Sequence, residues 1–143
     1  MSTRYNDSMI KSIEKIISAE QGVTIAVLSE DETLIQAIKE HTSKRDGECV
    51  DLRGKNLKRI PFSGEHFENI ILDQHDEILK DPKVLTSIKK VLQKSRRLLI
   101  ISREHDNYTL PEILEPYAFR DFSTIEIGDL NLNIAIKWYT FAQ

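Results

Sequence analysis

Three apolar, β-rich runs in this sequence end on side chains able to hold a polar ligand. Asp51 lies at the end of Glu48 to Leu52, Asp73 follows Phe67 to Leu72 (FENIIL), and Ser102 closes Arg97 to Ser102 (RLLIIS). In an open parallel sheet the carboxyl ends of the strands form the crevice in which ligands bind. Asp51, Asp73 and Ser102 are therefore the candidate cofactor contacts, with Gln74 and His75 beside them. A carboxylate there can accept from ribose hydroxyls or an adenine amino group. The simpler reading of Asp51 and Asp73 is a polar residue that ends a strand or caps the next element.

Other chemistry is thinly represented. His75 stands beside Asp73 and Asp76, and His105 beside Glu104 and Asp106, but sequence neighbours seldom converge on one ion and no second histidine has a completing spacing. Cys49, the single cysteine, cannot build a disulfide or a metal site alone, and reads as a small buried thiol. No metal site and no catalytic residue are assigned. Glu30, Asp31, Asp73 and Ser102 imitate a phosphoacceptor pocket, but the final strand lacks the required lysine, offering Glu126, Gly128 and Asp129.

The 20 Lys and Arg against 23 Asp and Glu leave a net charge of −3, which does not advertise a polyanionic partner. Basic residues do gather at Lys89, Lys90, Lys94, Arg96 and Arg97, and again at Arg53, Lys55, Lys58 and Arg59. Aromatic interleaving is absent, so a solvated surface explains them better than a nucleic-acid face. No apolar run approaches the roughly 20 residues that span a bilayer. Together with the lone cysteine, this makes a cytoplasmic protein with no membrane partner the expectation.

The elements that position these residues are legible from periodicity. Met9, Ile10, Ile13, Ile16 and Ile17 recur at helical spacing and predict an amphipathic helix over Ser8 to Glu20, ended by Gly22, whose isoleucine stripe suits core packing. Val23 to Leu28 (VTIAVL) reads as a strand buried on both faces, as parallel sheets require. Ser29 is placed to cap the next helix, which carries Leu34, Ile35 and Ile38. Asp81-Pro82 opens a helix with Val84, Leu85, Ile88, Val91 and Leu92 on one stripe, completing a βαβ unit between FENIIL and RLLIIS. Thr109 with Glu112 marks a further helix start. Ser123 to Ile127 and Leu130 to Tyr139 alternate around Gly128-Asp129, predicting an antiparallel hairpin at the sheet edge.

Between Val50 and Arg103 the sequence resembles the middle of class I S-adenosylmethionine-dependent methyltransferases. Ile60-Pro61-Phe62 leads to Phe67-Glu68-Asn69 as a Leu-Pro-Phe-like turn leads there to a Phe-Asp-like strand, and Asp81-Pro82 and Val91-Leu92-Gln93-Lys94 precede RLLIIS. The tail from Tyr108 to Tyr139 continues the likeness, and Ser95-Arg96 stands where that family usually has glycines. The resemblance implies an α/β Rossmann-like fold: a mostly parallel sheet with a C-terminal antiparallel hairpin and helices on both faces, in one domain over residues 1–143 with residues 1–21 packed on or beside it.

The family's cofactor loop is missing, because Leu28-Ser29-Glu30-Asp31-Glu32 contains no glycine to let backbone approach the cofactor. The expectation is a non-catalytic domain with no cofactor, acting as a protein-interaction module or scaffold. The layout is also weakly similar to the N-terminal domain of anamorsin, which implies a cytosolic assembly role such as iron–sulfur assembly, although that family's cysteine clusters are absent. Trp138 and Tyr139, in the final strand, are the candidate partner contacts. The alternative is an S-adenosylmethionine-dependent methyltransferase with an atypical or partner-completed cofactor site.

Overall fold

The computed structural model describes residues 5–17, 21–62, 64–73, 76–103 and 110–138. Six strands form one sheet in the order β2-β1-β3-β4-β6-β5: β1 Thr24–Leu28, β2 Glu48–Asp51, β3 Phe67–Asp73, β4 Leu92–Arg103, β5 Phe119–Ile127 and β6 Leu130–Lys137. β1 pairs in parallel with β2 and β3, and β3 with β4. β6 lies antiparallel between β4 and β5.

Alternation along the central strands sorts the core into two layers. Ala26, Leu28, Ile70, Leu72, Leu98 and Ile100 meet α3 (Pro82–Val91) and α4 (Leu110–Leu114) on one face. Ile25, Val27, Ile71, Leu99 and Ile101 meet α1 (Asp7–Ile16) and α2 (Glu32–Ser43) on the other. The expected α/β fold, mostly parallel with a terminal antiparallel hairpin and helices on both faces, is what the chain adopts.

The helices begin where their capping chemistry dictates. Asn6 and Asp81 accept from the backbone N–H groups of Met9 and Lys83, and Pro82 occupies the first helical turn of α3. α1 buries Met9, Ile10 and Ile13 and stops at Ile16, with Ile17 extended and fully buried. The helix expected through Glu20 is thus shorter, and residues 18–20 lie outside the described residues, as does Thr109.

Three local expectations need correction. Asp31, not Ser29, caps α2, its carboxylate accepting from Leu34 N at 3.1 Å, because the Ser29 hydroxyl is drawn inward. β4 begins at Leu92, absorbing the segment read as a turn; its register with β3 jumps between Phe67 and Asn69, and Ser95 takes φ +62. β5 begins at Phe119 and forms the sheet edge, whereas β6, which leads to Trp138, is an interior strand.

Candidate functional site

The chain leaves β1 through α2 toward one edge and leaves β3 through α3 toward the other, so the direction of winding reverses between these two adjacent strands. Such a switch point opens a crevice outside the carboxyl ends of the strands. Asp73 ends β3 there, 6% exposed, and Ser29, fully buried, follows β1. The Ser29 hydroxyl donates to Asp73 Oδ2 at 2.6 Å and accepts from Asp31 N at 2.9 Å. The Tyr5 hydroxyl donates to Asp73 Oδ1 at 2.6 Å, and its ring is 1% exposed. Both distances lie at the short end of the O–H···O range. A residue just ahead of α1 is thus hydrogen-bonded to the acid that ends β3.

The neighbouring acid is also committed. Asp51, at the end of β2, receives Arg53 through its backbone N–H at 3.0 Å and through the guanidinium at 2.7–3.1 Å. Arg53 reaches on to Glu32 Oε1 at 2.6 Å, tying the β2 loop to the first turn of α2. Hydrogen bonding from Arg53 holds the Asp51 carboxyl below its usual range. The β1–α2 turn between them contains no residue of positive φ, so its backbone follows an ordinary path.

Ser102 does not join this group. It shares the face of Leu98 and Ile100, opposite that of Ile71 and Asp73, and its hydroxyl accepts from Asn133 Nδ2 on β6 at 2.8 Å. Gln74, His75, His105 and Tyr139 lie outside the described residues. Trp138 is 41% exposed, with the Arg120 guanidinium 5.0 Å from its ring centroid. Cys49 is half-buried, and burial pushes its thiol up to about 12, far from a nucleophile's requirement. Among the described residues no cluster of His, Cys, Asp and Glu could hold a metal ion, and no helix is long and apolar enough to cross a membrane.

Tyr5 is the residue that sequence reasoning missed. It lies 68 positions from Asp73 in a polar N-terminal stretch, and nothing local announces that it is buried. The Arg53–Asp51 pair, two residues apart, is the one part of the site with a local signal.

This sheet, its switch point and its inserted antiparallel strand define a methyltransferase-like fold, and solved structures bear the class out. The chain is similar to an S-adenosylmethionine-dependent methyltransferase from Aquifex aeolicus, at 15% identity and TM-score 0.60, covering 89% of this chain and 88% of that one. It is also similar, at 10% identity and TM-score 0.62, to a structure of the Haloferax volcanii Trm112 methyltransferase activator in complex with a putative methyltransferase, with 92% and 90% covered. A third likeness, at 13% identity and TM-score 0.64 with 94% and 80% covered, is to the Burkholderia thailandensis 1,6-didemethyltoxoflavin-N1-methyltransferase, which holds S-adenosylhomocysteine. No protein-family model matches the sequence, and no curated protein is similar to it.

These structures correct the expectation that no cofactor goes with the chain. S-adenosylmethionine-dependent methyltransferases share its fold, and the Burkholderia enzyme has S-adenosylhomocysteine bound. In this chain the polar groups at the strand ends are bonded to one another. Tyr5 and Ser29 both donate to Asp73, and Asp51 is held by Arg53.

Proposed function

We propose that this chain is a methyltransferase-like domain that acts through a protein partner, its S-adenosylmethionine crevice held closed by its own N-terminal segment. The observation that supports this reading is the Tyr5–Asp73–Ser29 arrangement at the switch point. A tyrosine bonded to the acid at the switch point would stand in a nucleoside's way, which leaves the domain's surface for its partner.

The test is hydrogen–deuterium exchange of the whole chain with and without S-adenosylhomocysteine. If Tyr5 and the nucleoside exclude one another, exchange across residues 5–16 is unchanged or faster in its presence. Slower exchange over residues 28–31 with the N-terminal segment equally protected would overturn the reading.

The Haloferax complex favours a second reading, a methyltransferase completed by its partner. A partner that drew Tyr5 off Asp73 would open the crevice. In that case S-adenosylhomocysteine would bind the complex more tightly than the isolated chain.

A further inference from the structure

Cations distant in sequence meet on the α3 side of the sheet. The 3-10 turn Leu57–Arg59 packs against α3, and a groove of about 400 Å³ runs between them. Ile60, Pro82 and Val91 supply its apolar lining, Lys58, Arg59, Lys83 and Lys90 its rim, and no acid lines it. The floor is fixed, because Ile60 N donates to Ser87 Oγ at 2.9 Å and Ile60 and Val91 are both buried.

Helix energetics do not account for these cations. Lys83 sits in the first turn of α3, where the positive end of the dipole opposes it, and that turn holds no acid. Only Lys90, in the last turn, stands where the dipole favours a positive charge. Lys58 has Asp81 Oδ2 3.9 Å away, a long contact, while Asp81 Oδ1 accepts from Lys83 N at 2.9 Å as the helix cap. Arg59, Lys83 and Lys90 make no ion pair among the described residues. Concentrated positive charge over an apolar floor is complementary to a strand or helix carrying both carboxylates and aliphatic side chains. No aromatic side chain lines the groove to stack a base.

We propose that this groove is the docking site for a partner protein, through a segment of that partner that alternates acidic and apolar residues. The apolar side chains settle on Pro82 and the aliphatic stems of the rim, above the buried Ile60 and Val91, and the carboxylates meet the rim. The inference rests on the partner-binding reading above and names the surface it uses.

Fluorescence anisotropy of a short labelled peptide of alternating Glu and Leu, titrated with the whole chain, tests it. Saturable binding is expected that weakens with added salt and falls about tenfold or more in the Arg59→Glu/Lys83→Glu variant. Lys11→Glu, on α1 across the sheet, leaves it unchanged. Four results would overturn the proposal: binding indifferent to the double reversal, equal affinity for a Glu-only peptide, tighter binding of a single-stranded DNA oligomer, or sedimentation showing self-association that the reversal abolishes. Circular dichroism confirms that the surface variants fold. Loss of peptide binding while the exchange result holds removes the groove and leaves the partner reading intact. Failure of the exchange result removes that reading independently of the peptide.

Discussion

Replacing Tyr5 with Phe removes one oxygen from a buried position and little else. The ring, 1% exposed, keeps its packing against the α1 layer, while Asp73 loses the donor 2.6 Å from Oδ1. Depriving a buried acceptor of a donor costs about 1–3 kcal/mol, and the short distance and 6% exposure of Asp73 place this case near 2 kcal/mol. With a urea dependence of about 2 kcal/mol/M for a chain of this size, the unfolding midpoint should fall by about 1 M at constant slope. Pairing Tyr5→Phe with Asp73→Asn in a double-mutant cycle isolates the shared term, expected at about 1 kcal/mol or more. A midpoint shift equivalent to less than about 0.5 kcal/mol, or strictly additive single variants, would refute the claim that this hydroxyl fastens the N-terminal segment to the crevice.

Three further perturbations probe the frame. Lys137, 7% exposed, donates to Lys89 O and Leu92 O at 2.6 Å and to Glu65 Oε2 at 3.0 Å, so Lys137→Met should cost about 3 kcal/mol in thermal or urea unfolding. The same lysine's hydrogen bond lowers the Glu65 pKa in the fold, so that part of the stability is present above the unfolded value of about 4.3 and is lost as pH falls through the folded one; the gap between wild type and Lys137→Met should narrow below that range. Ser95 holds φ +62 where glycine is at ease, so Ser95→Gly should be neutral to about 1 kcal/mol stabilising and Ser95→Val destabilising by about 1–2 kcal/mol, read by urea midpoints. A Cβ on Gly47 would collide with the Val23 carbonyl oxygen, which accepts from Glu48 N at 2.9 Å; Gly47→Ala should unpick the β1–β2 junction at a cost of about 2 kcal/mol or more, on the order of other backbone clashes.

Elements were legible wherever local chemistry and periodicity agreed. The α1 stripe, the doubly buried β1, the Asp81-Pro82 start of α3 and the Gly128-Asp129 turn each carry a signal within a few residues. Boundaries failed where tertiary pairing overrode the local pattern. β4 is drawn back to Leu92 because that residue pairs with Phe67, at the cost of a left-handed Ser95 that the sequence presents as an ordinary polar turn residue. The hairpin does lie at the sheet edge, although alternation identifies both its strands and only pairing decides which one inserts beside β4. In the candidate site, the strand-end positions of Asp73 and Asp51 were legible because each closes an apolar run. Their partners were not equally visible. Ser29 has the same sequence appearance whether it caps α2 or turns inward, and Tyr5 depends on the path of a helix that returns over the sheet. Ser102 was misgrouped because strand ends alone do not say which face a side chain takes.

On the proposed reading, Tyr5 and a nucleoside compete for one crevice. Calorimetric titration of S-adenosylhomocysteine into wild type, Tyr5→Phe and Tyr5→Ala, each checked for folding by circular dichroism, measures this directly. Tyr5→Ala removes a fully buried ring and should be destabilised by about 3–5 kcal/mol, so Tyr5→Phe, which keeps that ring, preserves the comparison if the alanine variant does not fold. Affinity should rise from wild type through Tyr5→Phe to Tyr5→Ala, by about tenfold or more across the series, as the roughly 2 kcal/mol closing interaction is removed. Wild type binding S-adenosylhomocysteine as tightly as both variants would contradict it.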